Sequence, residues 1–294
     1  MLVKTSFLLN SILFWMESFR NFIYLKMYIR MKINYCSDLH LEFRDKVNIF
    51  KPNADVLCLA GDICACGTKE DFAKFIAFLK WVTPQYKYVI HVAGNHEYYT
   101  VGETKITIWN TMQEINKRFK RLSTIFKNYI FLNNEVVVLT IGGKKYGFIG
   151  TVLWADVNPK DYKELSEYIN DYHNIYVAKS GKPVKFTIQD MTSMFKKNRL
   201  FLAKAVEMTK KTRIPYVLIT HHKPIADTKD RDIFTQAYEV NVAPMLKQSR
   251  IKLAIHGHTH KHYNRTLYGI QFVSNPKGYV KQQTFFEEAL YIEI

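Results

Sequence analysis

Tyr88-Val89-Ile90-His91-Val92-Ala93-Gly94-Asn95-His96-Glu97 is a short apolar run that passes without a break into a glycine, an amide, an imidazole and a carboxylate. A run of this length and β-branched content reads as a strand, and the residues at its end are types that bind cations. The same pattern occurs four more times along the chain. Residues 33–36 lead into Ser37-Asp38-Leu39-His40, and residues 56–60 into Gly61-Asp62. Residues 216–220 lead into His221-His222, and residues 253–255 into His256-Gly257-His258-Thr259-His260. Between these runs, residues 70–82 place Phe72, Phe75, Ile76 and Leu79 on one helical stripe, and residues 108–119 repeat the spacing through Met112 and Ile115. Strand and helix alternate, which predicts α/β layering with a site just beyond the carboxyl ends of the strands.

Taken singly, the blocks say little. Asp38 and His40 are two apart, so on a strand they would face the same side and reach one cation; alone, the pair reads as an ordinary surface pair. Gly61-Asp62 is weaker, and Gly94-Asn95-His96 has the composition of an ordinary capped turn. His258-x-His260 says more, because alternate imidazoles at a strand end form a pincer for a borderline cation and Gly257 permits unusual backbone. Five elements that each end in oxygen or nitrogen ligands are hard to assign to chance.

In the order Asp38-x-His40, Gly61-Asp62, Gly94-Asn95-His96-Glu97, His221, Gly257-His258-x-His260, the chain resembles the five-block signature of calcineurin-like metallophosphoesterases. Asn275-Pro276-Lys277-Gly278-Tyr279 and Thr151-Val152-Leu153-Trp154 also look like a bacterial-type branch of that superfamily. The resemblance implies a four-layer αββα sandwich, two mixed sheets flanked by helices, over residues 31–294. It implies a hydrolase of phosphate esters with two divalent ions (Mn, Fe, Zn or Ni). One ion would be held by Asp38, His40, Asp62 and His260, the other by Asp62, Asn95, His221 and His258, with Asp62 bridging. It further implies a metal-bridged water as nucleophile and His96 as proton donor to the leaving group. One departure is Ala65, where a common form of the pattern carries a second acid three residues after the Gly-Asp aspartate. That argues against a protein phosphatase and leaves the ligand set intact. His222 is expected to support or pack, since adjacent residues on a strand point apart.

The remaining features bound rather than decide. Apolar residues make up 48% and charged residues 23%, ordinary values for a globular chain. A net charge of +16 draws phosphate-rich partners such as nucleotides, nucleic acid or anionic lipid, without selecting among them. Cys36, Cys58, Cys64 and Cys66 are too few and too local for a disulfide framework, which fits a reducing, cytoplasmic compartment and small buried side chains. Residues 1–30 read as an N-terminal extension: residues 7–16 are apolar but too short to span a bilayer, and a basic stretch follows. A membrane-surface anchor, a targeting segment and a dispensable extension are all open, and Met27 and Met31 just before the first strand favour the last. Residues 157–200 read as a lid or insertion ending in a helix from 188 to about 210, and strands at 265–268, 270–274 and 285–292 read as a closing β-meander.

Three functions are consistent with these readings. The first is a phosphodiesterase or phosphomonoesterase acting on a small or nucleotide-like ester. The second is a nuclease, supported only by the charge. The third is a non-catalytic scaffold, which the seven competent ligand positions disfavour. Tyr98, Tyr99, Trp154 and Lys223 adjoin the motifs and are candidates for substrate contact or for core packing.

Overall fold

All five apolar runs form strands whose residues are almost entirely buried. In the computed structural model, which describes residues 30–46, 48, 51–226 and 232–294, the extension read over residues 1–30 falls outside the described residues up to residue 29. The elements run β1 (Lys32–Cys36), β2 (Val56–Ala60), α1 (Lys69–Val82), β3 (Tyr88–Val92), α2 (Met112–Ile125), β4 (Tyr129–Phe131), β5 (Glu135–Ile141) and β6 (Lys144–Thr151). They continue as α3 (Tyr162–Tyr168), β7 (Tyr176–Lys179), β8 (Lys182–Lys185), α4 (Ile188–Lys210), β9 (Tyr216–Thr220), β10 (Ile251–Ile255), β11 (Tyr263–Leu267), β12 (Ile270–Ser274) and β13 (Tyr291–Glu293). One-turn helices lie at Asp171–Asn174, Thr235–Tyr238 and Ala243–Leu246.

Two mixed sheets result, ordered β13-β1-β2-β3-β4 and β11-β12-β10-β9-β6-β5. Within the first, β1, β2, β3 and β4 are mutually parallel; within the second, β6, β9, β10 and β12 are. Alternate residues divide between two faces, which is why these strands read as continuous apolar runs. Val56, Cys58, Ala60, Val217 and Ile219 share one core with Ile90, Val92, Phe148, Leu253 and Ile255, between the sheets. Leu57, Leu59, Tyr216 and Leu218 share the other with Phe75, Phe78 and Phe119 of the covering helices. The architecture is the expected αββα sandwich of two mixed sheets flanked by helices.

Helix starts follow their caps. The Thr68 hydroxyl accepts the Asp71 N–H at 3.1 Å, and Glu70 and Asp71 sit in the first turn, where the helix dipole favours negative charge. Thr187 and Asp190 close a reciprocal capping box at the start of α4. The expected helix at 108–119 is displaced to 112–125, because Ile108–Asn110 closes its own turn and Thr111 is extended (φ −79°, ψ 150°). Residues 157–200 carry α3, the turn Asp171–Asn174 and a separate β7-β8 hairpin before α4, and a bridge between Tyr99 and Ile175 ties them to the loop after β3.

The closing meander is not what forms. β11 and β12 do pair antiparallel, but β13 crosses to the other sheet and runs antiparallel to β1, with Ile33 opposite Ile292. Side-chain amides cause the crossing: Asn275 Nδ2 donates to Tyr35 O (3.2 Å) and Glu287 O (3.0 Å), and Asn34 Nδ2 donates to Leu290 O (2.8 Å). The tail thereby satisfies the otherwise open edge of β1. Among the described residues no helix is long and apolar enough to cross a membrane.

Gly147 on β6 lies opposite Tyr216 on β9, and a Cβ there would overlap the tyrosine ring. Gly147→Ala should therefore lower unfolding stability by about 1–3 kcal/mol, read as a reduced urea midpoint with an unchanged denaturant slope. An unchanged midpoint would mean that the core under the covering helices tolerates a displaced ring.

Candidate metal centre

The carboxyl ends of β1, β2, β3, β9 and β10 converge, and every residue named as a ligand lies in the loops just past them. The local geometry differs from the strand-end picture. Asp38 (φ 53°), His40 (46°), Asp62 (54°), His258 (69°) and His260 (51°) all occupy the left-handed region. Asp38 and His40 reach one place through two left-handed residues in a loop, and not through strand alternation. Each such residue costs about 1–2 kcal/mol for a side chain with a Cβ, so the surrounding structure must over-determine the conformation. It does: Asp38 N–H donates to Gly61 O (2.9 Å), His40 N–H to Asp62 O (3.0 Å) and Gly257 N–H to His221 O (3.0 Å). His96 N–H donates to Asp62 Oδ1 at 2.8 Å, and His258 N–H to Asp38 Oδ1 at 3.0 Å.

Two groups of side chains result. Asp38, His40 and His260 bring ligand atoms within 4.8 Å of one another, as do Asp62, His221 and His258. In the first, His40 Nε2 lies 3.1 Å from His260 Nε2, which is 3.3 Å from Asp38 Oδ1. In the second, His221 Nε2 lies 3.0 Å from both His258 Nδ1 and Asn95 Oδ1. Asp62 stands between them, with Oδ1 3.4 Å from His221 Nε2 and Oδ2 4.0 Å from His40 Nε2. The seven ligands named from the sequence thus surround one location, with His96 directly beside Asp62.

The far side of three imidazoles shows what these groups suit. His221 Nδ1 is 2.9 Å from Ala60 O, His40 Nδ1 is 3.2 Å from a Glu42 oxygen, and His260 Nδ1 is 2.7 Å from Gln282 Oε1. In neutral rings these acceptors hold the Nδ1 protons, so the Nε2 lone pairs of His40 and His260 face each other and that of His221 faces His258 Nδ1 and Asn95 Oδ1, arrangements that a cation in each group stabilises. The charge balance agrees. Burial would raise the Asp62 carboxyl, but His221, His96 and His40 outweigh it and hold it well below the usual range. Burial would likewise lower His221, yet Asp62 and Asp38 raise it to about 10. The negative charge that retains that proton is the charge a cation neutralises in its place. His258 is driven well below the imidazole range by burial and by His222 and His221, so it is neutral and ready to ligate.

Several participants were not named from the sequence. Asp171, in the segment read as a lid, accepts from Asn95 Nδ2 (2.8 Å) and from the Tyr99 hydroxyl (2.7 Å), which turns Asn95 Oδ1 toward His221. Nothing in its weakly periodic surroundings signals this. Glu42 touches both His40 and His96, and its only sequence signal is that it continues the alternation Asp38-x-His40-x-Glu42. Tyr279 stacks on His40 at 4.4 Å and its hydroxyl lies 3.2 Å from His96 Nε2. Burial would lower the His96 pKa, but Asp62 and Glu42 raise it to about 9.

Other neighbours have structural work. Tyr98 and Trp154 are buried and stacked on each other, and Trp154 also packs against Phe186 and His222. Lys223, considered for phosphate pairing, is buried with its ammonium 3.1 Å from Glu239. His222 packs between Trp154 and His258 and is held neutral, near 3, by burial and by His221. All four cysteines are free and buried. A cavity of about 460 Å³ opens over the centre, lined by Asp62, Asn95, His96, His258, His260 and Tyr279 among others.

Comparison with known proteins bears on the family and the fold. The calcineurin-like phosphoesterase family matches this chain over residues 31–262. An uncharacterized protein, L509, of Acanthamoeba polyphaga mimivirus is 28% identical over 286 residues, covering 89% of this chain and 96% of that protein. Among solved structures, the phosphopantetheinyl hydrolase PptH of Mycobacterium tuberculosis superimposes with a TM-score of 0.64 at 14% identity, over 90% of this chain and 96% of that one. The protein TT1561 of Thermus thermophilus superimposes at 0.51 with 12% identity, over 84% of this chain and 90% of that one. At such identities the two structures speak to the fold.

Asp171 offers a direct check on the centre. Asp171→Ala should free the Asn95 amide to rotate and weaken cation binding by about 10–100-fold, while the fold survives. Isothermal titration with Mn²⁺ reads the affinity, and unchanged binding would show that the Asn95 orientation does not depend on Asp171.

Proposed function

This chain belongs to the calcineurin-like phosphoesterase family, and on that premise we propose that it hydrolyses small, nucleotide-like phosphate esters with two divalent cations held by the loops at the carboxyl ends of its strands. The observation that carries the reading is the convergence of Asp38, His40, Asp62, Asn95, His221, His258 and His260 from five loops on one place, with Asp62, Asn95, His258 and His260 reaching the cavity wall and His96 beside them. The two cations, when bound, supply positive charge for the phosphoryl oxygens and an activated water as nucleophile.

The remaining chemistry belongs to the side chains. Asp62 serves both halves of the donor set, since its two oxygens face His221 and His40 respectively. Asn95 contributes a neutral oxygen, which limits the negative charge of the centre to what its cations balance. His96 Nε2 lies at the cavity wall, 3.2 Å from the Tyr279 hydroxyl, where a leaving oxygen can receive its proton. A concave cavity of about 460 Å³ is of the size that encloses a small ester. Electrostatic attraction from the +16 chain raises the local concentration of any such anion.

Two substitutions test this reading. Asp62→Ala removes the one carboxylate common to both groups, so both cations should be lost, as read by elemental analysis of the purified protein. Retention of two ions per chain in that variant would refute the bridge. His96→Gln should retain both ions and slow alkyl or nucleoside esters by about 10²–10⁴-fold. Nitrophenyl esters, whose leaving group needs no proton, should be much less affected. Equal losses on both ester types would remove His96 from the role of acid.

A further inference from the structure

The grip on His96 comes from Glu42, in the turn Leu41–Phe43 just past the ligand His40. Its side chain is 7% exposed and is met by donors from three directions. Oε1 lies 3.0 Å from His96 Nδ1 and 3.2 Å from His40 Nδ1, and Oε2 accepts the Ala65 N–H at 3.1 Å. Lys74 Nζ donates to the Glu42 backbone carbonyl at 2.9 Å, which fixes the turn itself. A carboxylate accepts and an imidazole nitrogen can do either, so the ring nitrogens that face Glu42 are the ones that carry protons. His96 is thereby protonated at Nδ1, with Nε2 turned to the cavity.

Building on the reading of His96 as proton donor, we propose that Glu42 is its positioning residue: the carboxylate fixes the Nδ1–H tautomer and the ring plane, so that Nε2 is the atom presented to the leaving oxygen. In the step so arranged, the P–O bond to the leaving group breaks as water forms the new one. His96 enters the step as the imidazolium, protonated at both nitrogens: the departing oxygen keeps the bonding pair and takes the Nε2 proton, and His96 is left as the neutral ring with its Nδ1–H still donated to Glu42. The carboxylate comes from the loop after β1, and its second oxygen binds the backbone of Ala65, the place where no acidic side chain is available. Because one oxygen receives both His96 and His40, the donor's ring is registered against a ligand of the metal group.

His40, Glu42 and His96 also lie close enough together to hold a cation of their own, and the experiment separates that occupant from a hydrogen-bonded carboxylate. Glu42→Gln leaves one acceptor oxygen where three donors converge, and Glu42→Ala leaves none. In the zinc-loaded protein, ¹H–¹⁵N correlation of the histidine rings should show His96 protonated at Nδ1, with that signal lost or mixed in Glu42→Ala. Elemental analysis should give two ions per chain in wild type and in Glu42→Gln. Glu42→Gln should slow alkyl esters by about 10–10²-fold, much less for nitrophenyl esters, and the Glu42→Gln/His96→Gln double variant should be no slower than His96→Gln alone. A third ion lost with Glu42, an unchanged His96 tautomer in Glu42→Ala, or additive losses in the double variant would overturn the proposal. If His96→Gln slows both ester types equally, the acid reading falls, and the tautomer then decides on Glu42 by itself.

Discussion

The fully buried Glu97 carboxylate accepts the backbone N–H groups of Asp62 (2.8 Å), Ile63 (2.7 Å) and Gly94 (2.6 Å), with His91 Nε2 at 3.4 Å. A buried charge is tolerated only where donors surround it, and here the donors are the backbones of the two loops after β2 and β3. Those loops carry Asp62, Asn95 and His96. Their approach is close enough that a Cβ on Gly94 would overlap the Asp62 carboxylate, and one on Gly61 the His221 ring. The site is thus assembled around a carboxylate that faces away from it, and the glycines are what let the two loops touch.

The same requirement explains the strained backbone. Five of the residues named as ligands adopt left-handed conformations, a combined cost that no single loop could sustain. Hydrogen bonds between loops, each from one ligand-bearing segment to another, hold them there. Arg44 extends the lacing: Nε donates to Leu39 O at 2.8 Å and a terminal nitrogen to Gly278 O at 2.7 Å. The turn bearing Tyr279 is therefore fixed against the loop bearing His40, and the stacking of those two rings follows from it.

Charge organises what the backbone positions. Asp38 and Asp62 are buried in the same small volume and would repel; burial also disfavours their ionised forms. Imidazoles of the centre offset both effects, and their outward nitrogens are anchored on Ala60, Glu42 and Gln282. The result is an electrostatic demand for positive charge at a point where lone pairs converge, independent of the basic surface around it. That surface acts at longer range, on encounter and not on chemistry.

Local sequence determined a good deal. Short apolar runs rich in β-branched residues read as strands, and glycine, carboxylate and imidazole at their ends are visible because they follow the run immediately. Hence the strands and the candidate residues at their ends were legible, while the sandwich and the ligand set were implied by the resemblance of those blocks, in their order, to calcineurin-like metallophosphoesterases. What the sequence could not decide are pairings between side chains distant along the chain. Asp171 lies 76 residues from the Asn95 it orients, and Tyr279 lies 183 from His96. The last strand was misassigned for the same reason: amides of Asn34 and Asn275, which carry no periodicity, direct residues 285–294 to the edge of β1. The left-handed ligands were likewise hidden, since strand alternation and a laced loop can both bring Asp38 and His40 to one point. Periodicity reports which residues share a face of one element; only the tertiary structure reports which backbone donor or carboxylate waits opposite, because those contacts are fixed by the packing of two sheets.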